Sequence, residues 1–422
     1  MKTLEKNRLV FLIVAIAFSM VFATGCSDLF EVDNPNYILE EDLNDTAFIE
    51  ALGNSAEGAL SQNYSWWIVV AGMPTDEVIA QQTEQGGARF TDIGLIDDHQ
   101  AWINDAYDNL AAARWTVTSV TQRLLKIVEN PATSIEVAKS YFWDGIARIT
   151  LADMFRKITF DNGPPHTPEE VYEGAIELLK KAAKIAKASD SEESALYEAA
   201  SYASIARVYR SLYFERDGDD SSFSEAVKYA KKALQIDPEF SLMMEYQAPG
   251  SENEIYLNFN QGSYYKMGPK FGHIKDTVSG IPDPRVKHST LIGYSNLRGD
   301  EIFHQLKYPN GNSDIPISRW QEAELIIAEY EVLLGIPGNA IGHINRVRNA
   351  TGLPDFSSSD PVKIYDQIKY ERKAEFFLEL RRWQDMRYYN IVPDIWKPGA
   401  KAKGVDRRYP ISIREIDANP NV

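Results

Sequence analysis

Cysteine is almost missing from this sequence, since Cys26 is the one cysteine among 422 residues. A single cysteine excludes any disulfide within the chain. Basic residues are also few, with 44 Lys and Arg against 61 Asp and Glu and a net charge of −17. The phosphates of nucleic acid require a basic surface, so this composition excludes nucleic acid as the expected partner.

Motifs that carry catalytic or metal chemistry are missing as well. The six histidines are scattered and form neither an HExxH motif nor another metal-ligand spacing. The sequence has no glycine-rich phosphate loop. Acidic pairs such as Asp97 and Asp98 arise by chance in so acidic a chain and do not by themselves indicate a glycoside hydrolase. We therefore expect no catalytic residue, no cofactor and no metal site.

The first 25 residues have the pattern of an export signal. Lys2, Lys6 and Arg8 precede an apolar run over residues 9–22, which is shorter than the roughly 20 residues that a membrane span needs. Small residues then lead to Cys26, as in a bacterial lipobox. This resemblance implies cleavage before Cys26 and acylation of that residue, and several acyl chains anchor a protein stably. The alternative is an exported protein without a lipid.

Residues 26–42 show little periodicity, and we interpret them as an acidic tether after Cys26. Between Asp28 and Glu84 the chain has twelve acidic residues and no basic one. Such a segment either is held off an anionic surface by repulsion or serves as an export address.

Helical periodicity is clearest over residues 167–238. Thr167 and Glu170 have the spacing of a capping box, and apolar residues follow at the helical period. A second helix is predicted over Ala195–Phe214, and a third begins at an expected capping box, Ser222–Glu225. Helix pairs with small residues at their crossings resemble tetratricopeptide units. The sequence therefore predicts an all-α fold, a tetratricopeptide-like helical-repeat scaffold (an α/α superhelix). The alternative is an ordinary helical domain with alanine-rich contacts.

The rest of the chain suggests three parts, a helical part at 43–238, a loop- and strand-rich insertion at 239–318 and a second helical part at 319–422. Further helices are predicted at residues 46–63, 101–128, 135–158, 319–334, 339–350 and 361–388. Short strands are predicted at Glu254–Phe259 and Ile302–Tyr308 because apolar and aromatic residues cluster there. The polar residues 81–99 are interpreted as a long surface loop.

The C-terminal third is similar to the SusD/RagB family in several motifs that follow one another in the family's order. These motifs are Arg319–Leu325, Ile344–Arg348 before Gly352–Pro354, Glu371–Phe376 with Arg382–Arg387, and the ending Glu415–Asn421. The lipobox at Cys26 fits the family too. The chain departs from it at Glu379–Arg381, where a small residue is usual, and in being short.

The resemblance implies an outer-membrane lipoprotein on the surface of a Bacteroidetes-like bacterium. Such proteins capture a nutrient, most often an oligosaccharide, and deliver it to a SusC-like TonB-dependent transporter without changing it. Peptide binding by the same architecture is the nearest alternative. A helical glycoside hydrolase and a scaffold that only assembles proteins are the others.

A sugar site needs aromatic rings beside amide, carboxylate or guanidinium groups. The candidate ligand-binding residues are Trp66, Trp67, Gln81, Arg89, Phe90, Tyr264 and Tyr265. Neighbouring tryptophans point in different directions, so at least one of Trp66 and Trp67 is expected in the core. Trp102, Trp143 and Trp383 are assigned to the core because they lie on helical stripes, and Arg382 and Asp385 are interpreted as structural.

Overall fold

The structure, a computed structural model, describes residues 42–422 apart from 82–85, 248, 263, 297, 395 and 397–406. The chain forms two compact units, Met1–Asp45 and Thr46–Val422. The signal peptide predicted at 1–25 and Cys26, with nearly all of the tether, lie outside the described residues. The three-part division of the remaining chain stays a prediction.

Helices form most of the second unit, which confirms the all-α prediction. The first seven are α1 (Ile49–Gly72), α2 (Gly86–Asp92), α3 (Ala101–Ile127), α4 (Ile135–Met154), α5 (Pro168–Ala188), α6 (Ser194–Glu215) and α7 (Asp220–Ile236). The others are α8 (Glu254–Tyr256), α9 (Pro269–Gly272), α10 (Trp320–Leu333), α11 (Pro337–Asn349), α12 (Pro361–Glu375), α13 (Arg382–Tyr388) and α14 (Ile413–Ala418). Within the described residues, none of the helices combines the length and the apolar character that crossing a membrane requires.

Helices adjacent in the chain pack against one another, as the repeat pattern predicts. The pairs α4–α5, α5–α6 and α6–α7 have the most extensive contacts, α10 packs on α11, and α1 packs on α3, α4 and α8. In α6 the small residues Ala199, Ala203 and Ala206 are buried, so a neighbouring helix can approach closely. α1 therefore lies where the first helices of the unit meet.

The two expected capping boxes have different outcomes. At α5 the box is present, since Glu170 N donates to Thr167 Oγ1 and the Glu170 carboxylate accepts from Thr167 N at 2.8 Å. At α7 the expected box is wrong, because Asp219 is the N-cap and its carboxylate accepts from the backbone N of Ser221 and Ser222. Ser222 thus lies inside the first turn. The carboxylate of Asp219 accepts hydrogen bonds from the free N–H groups of the first turn, so the Ser222 side chain does not cap the helix.

Within the part of the chain that the structure describes, six short strands form three antiparallel pairs. The strands are β1 (Val78–Ala80), β2 (Ser241–Met244), β3 (Tyr265–Met267), β4 (Gly293–Tyr294), β5 (Glu301–Ile302) and β6 (Ile315–Arg319), paired as β1–β3, β2–β6 and β4–β5. The strand predicted at Glu254–Phe259 is wrong, because α8 and a π-helical turn at Leu257–Gln261 occupy it. The strand predicted at Ile302–Tyr308 is reduced to its first residue, within β5.

Three other predictions also differ from the structure. α1 continues past residue 63 to Gly72 and so contains both tryptophans, and α2 lies inside the segment interpreted as a loop. The long helix predicted at 361–388 is broken into α12 and α13. Between them Leu378 and Leu380 have positive φ angles of 53° and 62°, which no α-helix accommodates.

Buried ion pairs surround this break. Glu322 accepts from Arg207, with Nη2 and Oε2 2.6 Å apart, and from Arg381 Nε at 3.2 Å. Asp385 similarly binds Arg372 Nε at 2.9 Å. The interpretation of Asp385 as structural is therefore confirmed.

Candidate functional site

The two adjacent tryptophans of α1 have separate environments. Successive helical residues point about 100° apart, since 3.6 residues make one turn. Trp67 is fully buried and meets the ring of Tyr64 edge-on, whereas Trp66 is half-buried at the edge of the core. One tryptophan in the core is what the sequence predicted. Trp67 belongs to the core, so only Trp66 can offer part of its ring to a ligand.

Trp66 belongs to a cluster of aromatic rings. Its ring centroid lies 6.2 Å from that of Trp102 and 5.8 Å from that of Tyr265. Tyr265 is only 5% exposed because it lies in β3, paired with Ala80 of β1, whereas its neighbour Tyr264 is 46% exposed. The expectation that Tyr265 has an exposed, ligand-binding ring is therefore wrong. Its ring packs against that of Trp66 instead.

The remaining candidates lie on segments next to the cluster. Gln81 N donates to Tyr264 O at 3.0 Å, which ties these two candidates together. Phe90 is 43% exposed, and Arg89 places its Cζ 5.9 Å from the centre of the Phe90 ring. Their helix, α2, abuts Trp102 at Gly87, where a Cβ would come within 2.3 Å of the indole. A side chain at that position would push α2 off the cluster.

Trp66 also lines an open cleft of about 400 Å³. Its other lining residues are Gln62 and Asn63 from α1, Asp105, Asp108 and Asn109 from α3, then Glu254 and Arg414. We name it the Trp66 cleft. The sequence analysis missed these polar residues because they lie within helices or near the C-terminus. In the sequence, the amide residues Gln62 and Asn63, one helical turn before Trp66, could have indicated this polar cleft.

Arg414 organises the charges of the Trp66 cleft. Its Nη1 donates to Asp105 Oδ1 at 2.7 Å and to Asp108 Oδ2 at 2.8 Å. These hydrogen bonds raise the pKa of the Arg414 guanidinium. Opposite, Glu254 accepts from Asn258 Nδ2 at 2.8 Å. The cleft thus combines one aromatic face with carboxylate, amide and guanidinium groups held by their own partners.

Comparisons with known proteins address the fold and its C-terminal region. A family model described as the SusD family matches residues 300–422. A SusD homolog from Bacteroides thetaiotaomicron superposes with a TM-score of 0.68 at 13% identity, over 93% of this chain and 98% of that one. A SusD superfamily protein from Parabacteroides distasonis does so with a TM-score of 0.68 at 16% identity, covering 89% and 98%. Residues 300–422 therefore match the SusD family model, and the described fold is similar to that of SusD-family structures.

A third SusD relative is a SusD-like carbohydrate binding protein from Bacteroides vulgatus, with a TM-score of 0.63 at 14% identity over 90% of this chain and 97% of that one. At such identities the likeness shows the fold. No curated protein matches the chain. Of the residues that line the Trp66 cleft, only Arg414 falls within residues 300–422, so the SusD match does not extend to the cleft's chemistry.

Proposed function

We propose that this protein binds an oligosaccharide in the Trp66 cleft and releases it unchanged. The observation that carries the proposal is the position of Trp66, an indole braced by two other rings at the wall of a polar cleft. One face of a sugar ring carries C–H groups that pack on an aromatic ring. The hydroxyl groups at its rim find the carboxylates, amides and guanidinium of the same cleft.

The cleft is held in shape before any ligand arrives. Asp105 and Asp108 are both fixed by Arg414, and Trp66 is fixed by Trp102 and Tyr265. Side chains that are already immobilised lose little further entropy when a ligand binds. Family likeness supports the same ligand class, since one SusD relative is described as carbohydrate binding.

Delivery completes the proposed role. The protein sits on the outer face of the outer membrane, held by acylated Cys26, and passes its glycan to a SusC-like TonB-dependent transporter. The lipobox pattern before Cys26 and the SusD-family match support this part of the proposal. Replacing Cys26 by serine should release the protein from membranes. Retention of that variant in cells without the transporter would contradict the lipid anchor.

The decisive experiment is a binding screen of the protein against neutral glycans, acidic glycans and peptides, followed by calorimetry. We expect glycan binding without cleavage, and we expect Trp66→Ala to weaken it at least tenfold, about 1.4 kcal/mol. Trp115→Ala is the matched control, because Trp115 is 58% exposed on α3 but does not line the Trp66 cleft. Equal affinity of Trp66→Ala and wild type would exclude this site.

The same screen separates the alternatives. Selective binding of peptides would replace the glycan by a peptide as ligand of the same architecture. If chromatography detects shorter products from a bound oligosaccharide, the protein is a glycoside hydrolase. A protein that binds neither glycan nor peptide would favour a scaffold that assembles other proteins.

A further inference from the structure

A second cavity lies farther along α1. It has a volume of about 650 Å³, and among its lining residues are Glu57, Lys139, Trp143, Glu193, Tyr197 and Glu245. We name it the Trp143 cavity. The residues of α1 that line it fall between Gly53 and Ser61, directly before those that line the Trp66 cleft, Gln62 to Trp66. The two spaces therefore open along one helix.

Trp143 and Tyr197 line this cavity side by side. Trp143 is fully buried, so it forms part of the wall and is not itself open to a ligand. The polar residues within reach of a ligand are the exposed ones of the lining, Asn54, Glu245 and Gln247. Their amide and carboxylate groups can donate hydrogen bonds to sugar hydroxyls or accept from them.

A third depression, of about 530 Å³, joins the other two. It shares Gln62, Asn63 and Asn109 with the Trp66 cleft, and Gly58, Ser61 and Ser251 with the Trp143 cavity. Along α1 the distance from residue 57 to residue 66 is about 14 Å, at 1.5 Å per residue. That span exceeds one sugar ring and fits a short chain of linked rings.

Carboxylates outnumber cations along this groove. The Trp143 cavity has Glu57, Glu193, Glu245 and Asp314 against Lys139, which pairs with Glu193. Such a lining repels uronate or sulfate groups and accepts hydrogen bonds from hydroxyl or ammonium groups.

Glu57 can also act as a donor. Its Oε1 accepts from Glu245 N at 2.8 Å, and burial raises the pKa of its carboxyl group to about 7. At neutral pH this carboxyl group is therefore protonated in part of the molecules. A neutral carboxyl group can donate a hydrogen bond to a sugar oxygen as well as accept one.

We propose that the Trp66 cleft and the Trp143 cavity are the two ends of one groove, which binds a linear oligosaccharide of neutral or amine-bearing sugars. This inference rests on the proposed function and defines its ligand class. Sugar units bound at Trp66 continue past Ser61 and Gln62 to the exposed Glu245 and Gln247 of the Trp143 cavity. The charge of the groove excludes acidic glycans.

Calorimetry with glycans of graded length tests the groove. The probes are cello-, xylo-, manno- and malto-oligosaccharides from dimer to hexamer, chitosan oligomers with free amines, and oligogalacturonates. We expect the affinity for the accepted neutral or amine-bearing series to rise at least tenfold from dimer to hexamer. Oligogalacturonates of the same lengths should not bind.

Variants at the two ends of the groove show which end provides the gain in affinity from dimer to hexamer. Gln247→Ala removes an exposed amide group of the Trp143 cavity, so it should weaken hexamer binding at least threefold and leave dimer binding unchanged. Asn54→Ala, at another exposed residue of the same cavity, is the second test and should act in the same direction. Trp66→Ala should weaken both lengths. Glu245→Gln should admit oligogalacturonates.

The outcomes separate the two proposals. Binding of no glycan at all overturns the proposed function together with the groove. Equal affinity for dimer and hexamer, with Gln247→Ala and Asn54→Ala like wild type, overturns only the groove and leaves the Trp66 cleft. Oligogalacturonates bound as tightly as neutral oligomers would overturn the charge selection.

Discussion

Carboxylates are abundant in two regions of this protein, and their partners differ. In the buried network between α6, α10, α12 and α13, each carboxylate meets one or two guanidinium groups, as Glu322 meets Arg207 and Arg381. Along the groove on α1, carboxylates outnumber cations and face open space, as in the Trp143 cavity. The contrast teaches that burial beside guanidinium groups, not residue type, separates carboxylates that hold the fold from carboxylates left for a ligand.

The difference follows from the cost of desolvation. A charge removed from water needs a partner of opposite sign with good geometry, and removing one partner leaves the other uncompensated. A charge beside an open cleft keeps its water until a ligand displaces it. The network should therefore govern stability, and the groove should govern binding.

The largest expected effect on stability comes from removing one carboxylate of the buried network. Glu322→Gln leaves Arg207 and Arg381 buried without a carboxylate, and should lower the free energy of unfolding by about 3–5 kcal/mol. Urea denaturation measures it. The control, Glu169→Gln, removes a partner of Arg216 whose side chain is 44% exposed, and should cost less than about 1 kcal/mol. Similar losses for both variants would contradict the distinction between buried and exposed ion pairs.

A smaller effect distinguishes two neighbouring carboxyl groups by pH. Burial raises the pKa of Glu77 to about 8. The hydrogen bond that Leu378 N donates to its carboxylate at 2.9 Å lowers this pKa but does not offset burial. A raised carboxyl pKa contributes stability below the unfolded value, near 4.5, that is lost as pH rises towards 8. Glu77→Gln should therefore gain stability relative to wild type between about pH 5 and pH 8, by at most about 1.4 kcal/mol per pH unit.

Asp76, the neighbour of Glu77, is the control. Burial alone would raise its pKa, but Arg382 and Lys373 hold that pKa well below its usual range. A lowered pKa contributes stability that is fully present above the unfolded value and is lost only in acid. Asp76→Asn should therefore destabilise the protein by a constant amount across the same pH range. A pH-independent difference between Glu77→Gln and wild type would contradict the assignment of Glu77 as a neutral group.

The smallest effect on stability is expected in the groove. Arg414 is 56% exposed, so Arg414→Ala should leave the urea midpoint near that of wild type. It should nevertheless weaken glycan binding, because Asp105 and Asp108 lose the group that fixes them. Arg207→Ala, at a buried guanidinium, is the comparison and should shift the midpoint strongly. A large shift for Arg414→Ala would place that residue with the network instead.

The local features were open to prediction from the sequence. A capping box at Thr167 and a period of 3.6 residues depend on residues a few positions apart, and one buried tryptophan in two follows from helical geometry. The predictions that failed depend on contacts between residues far apart in the sequence. Tyr265 is buried because β3 pairs with β1, almost 200 residues earlier, and the break after α12 lies among ion pairs from distant helices.

By itself, the sequence determined the helical class, the family to which the C-terminal motifs point and the acidic character that disfavours anionic partners. Each depends on composition or on neighbours along the chain. Only the tertiary structure decided which carboxylates are paired and which line the groove. Asp105 and Asp108 meet Arg414 across more than 300 residues, and only packing brings such distant residues together.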